Sequence, residues 1–205
     1  MRWISLLAVA FVVILGLPVV AQSPPEGPPT RIRGTVDKLD GQTLVVKSRD
    51  GQSMTIALAP NFTVRGVVAK TMADIKPGDF VASTSVKGPD GKLRAIEVHI
   101  LPENLRGIAR EGQFPWDLVP EGIMTNATAA EIVSAPQGQV LKVTYKDGEA
   151  EVTIPPGIPI VGYVPGDAGL LKPGAAVFIT AQKKPDGTLT ASSVTAEKDG
   201  VRPPM

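Results

Sequence analysis

Pro89-Asp90-Gly91-Lys92-Leu93-Arg94-Ala95-Ile96-Glu97-Val98 returns later in the chain as Pro185-Asp186-Gly187-Thr188-Leu189-Thr190-Ala191-Ser192-Ser193-Val194. The shared Pro, Asp, Gly, Leu, Ala and Val keep their spacing, each pair lying 96 positions apart. Lys76-Pro77-Gly78 returns at the same offset as Lys172-Pro173-Gly174, and Pro60, Val64, Gly66 and Val68 fall on Pro156, Ile160, Gly162 and Val164. Upstream, Gly41-Gln42, Leu44, Val46 and Asp50-Gly51 match Gly138-Gln139, Leu141, Val143 and Asp147-Gly148 at an offset of 97, so a one-residue gap separates the two blocks. Matches in this order and at nearly constant offset read as an internal duplication, with copies at 31–101 and 126–198.

Each copy carries strand periodicity. Met54, Ile56 and Leu58 alternate with Ser53, Thr55 and Ala57, and Ile96, Val98 and Ile100 alternate with Glu97 and His99. That alternation puts His99 and Glu97 together on the face away from the apolar residues, an outward, solvent-facing position. Asp50-Gly51, Asp147-Gly148 and the two Pro-Asp-Gly runs punctuate the strands as turns. Lys-Pro-Gly, preceded by Met72 to Ile75 or by Ala168 to Leu171, reads as a short helical turn feeding the strand Phe80 to Val86 or Val177 to Ala181. About five short strands per copy predict an all-β protein: two tandem small OB-like β-barrels joined by an irregular linker at 102–125.

The chain opens with Met1-Arg2, an apolar run from Trp3 to Leu17, and Pro18-Val19-Val20-Ala21-Gln22. One positive charge, an uncharged core and small residues before a polar one make a signal peptide at 1–21, cut after Ala21. The competing reading is an uncleaved anchor, since the run approaches the roughly 20 residues that span a bilayer. Both place the bulk of the chain outside the cytoplasm, periplasmic or secreted, with membrane contact only if the segment stays attached. A Pro-rich spacer follows at 22–30, and 199–205 forms a tail, frayed from Arg202 to Met205.

The chain has 21 Lys and Arg against 20 Asp and Glu. Neutrality of this kind argues against a nucleic-acid partner, which requires a basic footprint. The absence of Cys excludes disulfide support, thiolate chemistry and Cys-ligated metals.

Gly34-Thr35-Val36, Gly41 to Val46, Asp50-Gly51, Lys76-Pro77-Gly78-Asp79 and Asp90 to Val98 together resemble the family catalogued as domain of unknown function 5666. The resemblance covers the first copy. The second departs from it, with Ala175 in place of the Asp after Gly and no Gly-Thr-Val opening. Arg106-Gly107, Trp116-Asp117, Met124-Thr125-Asn126-Ala127 and the ending Lys198-Asp199-Gly200 with Pro203-Pro204-Met205 resemble a subgroup of exported proteobacterial proteins, some labelled as metal-transport permeases. The resemblance implies a fold and an exported state rather than an activity.

No catalytic set is visible. His99 is the only His, and neither a second His nor a Cys completes a triad or a zinc set. The expectation is therefore a non-enzymatic envelope protein without a cofactor, a binding or assembly module for an envelope protein or small ligand. A purely structural oligomerising role has the same sequence signature. The alternative is a periplasmic soft-metal binder of the copper type, associated with metal transport, using Met54, Met72 and His99 near Trp116, because thioethers select Cu(I). Against it, Met54 shares the apolar phase of Ile56 and Leu58. The 102–125 linker carries Phe114 and Trp116 in a chain only 4% aromatic. With Leu118 they either fill a seam between the modules or offer a partner an aromatic hook. The seam is preferred, since an exposed Trp is costly to carry.

Overall fold

Alternating side chains commit a segment to being a strand, but the partner it finds is a separate question, and the hydrogen bonding answers it unexpectedly. The computed structural model describes residues 29–136 and 138–204. The signal peptide expected at 1–21, the expected spacer up to residue 28 and Met205 lie outside the described residues.

The first copy forms β1 (Thr30–Asp40), β2 (Thr43–Ser48), the long β3 (Ser53–Ala69), β4 (Phe80–Lys87) and β5 (Leu93–Ile100). A short β6 (Gly112–Pro115) lies inside the linker. The second copy forms β7 (Ile123–Ala135), β8 (Gly138–Tyr145), β9 (Gly148–Ile154), β10 (Ile160–Gly166), β11 (Ala176–Lys183) and β12 (Leu189–Ala196). Single 3-10 turns at Met72–Asp74 and Ala168–Leu170 precede the two Lys-Pro-Gly runs, as their sequence predicts. Gly91 and Gly187 sit at φ of +74° and +86°, so a left-handed residue is needed in both Pro-Asp-Gly turns.

The protein is all-β, with closed circuits of strands. One circuit runs β1-β2-β3-β12-β11 and returns to β1; the other runs β7-β8-β9-β5-β4 and returns to β7. Each takes three strands from one copy and two from the other. The corresponding pairings repeat: Val177 lies opposite Gly34 and Val81 opposite Ala127, while Leu189 lies opposite Ile56 and Leu93 opposite Val152. The boundaries 31–101 and 126–198 therefore do not enclose self-contained units, because neither copy closes on its own strands.

The cores confirm the exchange. Ile32, Leu44, Val46 and Ile56 share one apolar cluster with Val177, Ile179 and Val194. Val81, Leu93 and Val98 share the other with Leu141, Val143, Val152 and Ile154. Burial at about 25 cal/mol per Å² of apolar surface makes each core a joint product of both copies.

The chain crosses between the circuits in the second half of β3 and in β10. These two segments pair antiparallel with Tyr163 opposite Val67, Gly162 opposite Val68 and Val164 opposite Gly66. Tyr163 and Val67 are themselves 96 positions apart, so the crossing has a local two-fold relation centred on that pair. Outside it, β5 lies parallel to β10 with His99 opposite Val161, and β12 lies parallel to β3 with Thr195 opposite Arg65. One continuous sheet thus runs from circuit to circuit.

Three local expectations change. The linker is not irregular throughout: it holds the turn Glu103–Leu105 and β6, which pairs with β7. The tail is not frayed up to residue 204, since Lys198 bridges to Val201, Arg202 pairs with Glu197, and Pro203 is buried. In β5 the alternation is broken by a bulge at Ile96, which lets both Ala95 and Val98 face the core.

Candidate functional site

His99 and Glu97 do point away from the core, as their alternation with Val98 requires, but they do not meet solvent. Each is only 1% exposed. The outer face of this circuit is covered, and β4 is buried on both faces from Phe80 to Ser85. The expectation of a surface His fails because a strand pattern reveals which side a residue takes and not what lies on that side.

Thr84 Oγ1 donates to Glu97 Oε1, whose other carboxyl oxygen has no hydrogen-bond partner among the described residues. His99 Nε2 lies 3.4 Å from Glu97 Oε1, and Nδ1 lies 2.7 Å from the Tyr163 hydroxyl. The two rings stack with centroids 5.8 Å apart and planes 14° apart. Burial, reinforced by the Glu97 charge and opposed by Arg65, holds the Tyr163 hydroxyl well above its ordinary value of 10.0.

Tyr163 and His99 line a cavity of about 250 Å³ between the outer faces of the two circuits. One wall carries Ala82, His99, Met124 and Asn126; the other carries Phe178, Thr180, Ser193 and Thr195; Arg65 and Tyr163 belong to the crossing strands. The linker supplies the cover through Leu105, Ala109, Phe114 and Trp116. A second cavity of about 560 Å³, bounded by Pro102, Asn104 and residues 164–168, shares Arg65 and Tyr163 with the first.

The cover is tied to both circuits. Arg106 donates to Thr128 Oγ1 at 2.7 Å and to the Gly78 carbonyl at 2.8 Å, and also pairs with Glu103, fixing the start of the linker against the second circuit. At its other end the half-buried Trp116 ring packs 6.4 Å from Phe178 and 6.2 Å from Phe114, with the Arg31 guanidinium 4.1 Å from its centre. Asp117 accepts from Arg33 at 2.9 Å and lies 3.7 Å from Arg31. Phe114, Trp116 and Leu118 are each half-buried.

Three polar atoms of cavity-lining residues are enclosed without a hydrogen-bond partner among the described residues: Asn126 Oδ1, Trp116 Nε1 and His99 Nε2, the last of which lies 3.4 Å from Glu97 Oε1. The Asn126 amide orientation is fixed by chemistry, since its Nδ2 donates at 2.8 Å to the Arg110 carbonyl, which can only accept. Away from the Glu97 carboxyl, the cavity therefore presents an acceptor at Asn126 and a donor at Trp116 among mainly apolar walls.

The candidate soft-metal residues are not assembled. Met54 packs against the first core and Met72 against the second, while His99 lies between the circuits.

Arg65, Tyr163 and Phe178 escaped the reading of the sequence, and Asn126 entered it only within the run Met124-Thr125-Asn126-Ala127. Their signal lies in the differences between the copies: at the 96-residue offset Arg65 stands against Val161, Tyr163 against Val67, Phe178 against Ala82, His99 against Thr195 and Glu97 against Ser193. The matching residues make turns and cores, whereas these mismatches surround the cavity. No family model, no curated protein and no solved structure matches this chain.

Proposed function

We propose that the chain is an exported, non-catalytic binding protein. In this reading, strands exchanged between two duplicated halves build two OB-type barrels, and a small ligand is held between them. The strand order of each circuit, first-second-third-fifth-fourth, supports the OB assignment, since five strands close with Greek-key connectivity. The resemblance of the first copy to domain of unknown function 5666 agrees with an exported module.

The observation that carries the binding reading is the enclosed pair of Asn126 Oδ1 and Trp116 Nε1 opening on a mostly apolar cavity. A buried polar group left unpaired costs about 1–3 kcal/mol, which a ligand bonded to both would relieve. Apolar walls with a few convergent polar groups are the general form of a small-molecule site. In the same reading Phe114 and Trp116 seal the seam and belong to the binding wall.

The test is a fluorescence and thermal-shift screen of fragment-sized compounds on the chain beginning at Gln22, where Trp116 is the one Trp. Compounds that shift Trp116 emission and raise the melting temperature are expected. Ala82→Phe, which gives β4 the ring that β11 carries at the equivalent position, should abolish these effects, with a cooperative melting curve confirming that the variant folds. Absence of any such compound would remove the binding reading and leave the linker as a structural seal.

A further inference from the structure

We infer that the ligand of this cavity is a small aromatic carboxylate bearing a hydrogen-bond donor at its far end, a compound of the hydroxybenzoate class. This rests on the binding reading above and specifies it.

Size comes first. An apolar cavity of about 150 Å³ encloses a benzene ring. The present cavity, about 250 Å³, takes a ring with polar substituents, and the wider cavity that shares Arg65 and Tyr163 leaves room for the polar end. Its aromatic and sulfur-bearing surfaces, Trp116, Phe178 and Met124, suit the face and edge of such a ring.

Charge comes second. Arg65 is half-buried at the junction of the two cavities, and its side chain makes no hydrogen bond or ion pair to the described residues. Other Arg side chains nearby are engaged elsewhere: Arg31 and Arg33 share Asp117, Arg106 pairs with Glu103, and Arg110 lies over the Phe114 ring. Asp167, which borders the second cavity, is engaged with the amide of Gly169 at 2.7 Å. Arg65 thus offers a planar guanidinium fork to a carboxylate entering through the wider cavity, a geometry that Lys does not reproduce. At the equivalent position the other copy has Val161, so the charge belongs to one side of the two-fold relation only.

The far end comes third. Asn126 Oδ1 requires a donor and Trp116 Nε1 an acceptor. A phenolic hydroxyl is both, whereas a plain ring satisfies neither.

Isothermal titration with 4-hydroxybenzoate, benzoate and 4-hydroxybenzamide tests each part. The first should bind best. The neutral amide should be weaker by about tenfold, the difference between a charged and an uncharged hydrogen bond. Arg65→Gln should equalise the acid and the amide, Arg65→Lys should retain part of the preference, and Asn126→Leu should narrow the gap between 4-hydroxybenzoate and benzoate, the bond from Trp116 Nε1 remaining, with melting curves confirming that each variant folds. Equal binding of acid and amide by the unaltered protein would overturn the carboxylate while leaving the site standing. Equal binding of 4-hydroxybenzoate and benzoate would overturn the donor. If these probes fail but other fragments bind and Ala82→Phe blocks them, the ligand class is wrong and the site is right. If nothing binds, both fall.

Discussion

The Tyr163 hydroxyl and His99 Nδ1 lie 2.7 Å apart although 64 positions separate them in sequence. Their strands come from different copies, so this bond spans the exchange. Tyr163→Phe leaves the His99 nitrogen enclosed without its partner and should cost about 1–3 kcal/mol in urea denaturation at neutral pH. A cost near zero would show that water replaces the hydroxyl.

The same group sets a response to base. Its folded pKa is raised above the ordinary 10.0, so the folded state holds the proton more tightly than the unfolded one. The stabilisation is whole below pH 10 and is lost as pH rises above it, by about 1.4 kcal/mol per unit. Denaturation series from pH 9.5 upward should therefore fall more steeply for the native chain than for Tyr163→Phe, and parallel slopes would contradict this.

Thr84 is the hydrogen-bond donor to the enclosed Glu97 carboxyl. Thr84→Val should destabilise by about 1–3 kcal/mol, whereas Thr84→Val with Glu97→Leu should recover part of the loss, because it removes the buried carboxyl with its donor and leaves only His99 Nε2 without its neighbour. An additive double variant would show that the two side chains act separately.

At Asp117, burial pushes the carboxyl up, but the hydrogen bond and charge of Arg33, with Arg31, outweigh it and hold the pKa below the ordinary 3.8. Its contribution is present above that value and disappears as pH falls below it. The side chain is 50% exposed, so Asp117→Asn should cost only about 0.2–1 kcal/mol, and the difference from the native chain should vanish in strong acid.

Trp116→Ala removes a ring that touches β1 and β11 while its neighbour Phe114 pairs with β7. Full burial would make the cost about 3–5 kcal/mol; at half burial about 2 kcal/mol is expected. Calorimetry should show one transition lowered as a whole. Two transitions, one of them unmoved, would mean that the circuits melt independently.

Strand identity was legible in the sequence and partner choice was not. Met54, Ile56 and Leu58 announce β3, and Asp-Gly and Pro-Asp-Gly announce its neighbours' turns, because periodicity and turn chemistry are local. Val81 and Val177 carry the same pattern, so nothing local says that Val177 faces Gly34 of the other copy. The site stayed hidden for a related reason. His99 was placed on the correct side of β5, but Phe178, Tyr163 and the linker that enclose it arrive only through the exchange. A pattern of period two reports sides; enclosure is a property of pairs of distant segments.

Because β1 closes against β11 and β3 against β12, the strands made first during synthesis wait for the strands made last. A chain growing from its N-terminus cannot close the second circuit before β9 has emerged, nor the first before β12. Until then β3 and β4 keep open edges, the condition in which nascent chains associate with one another. Closure consequently runs from the second circuit, complete once β9 is present, to the first, which waits for β12, and a ribosome-bound fragment ending at Leu101 should remain protease-sensitive while the released chain does not.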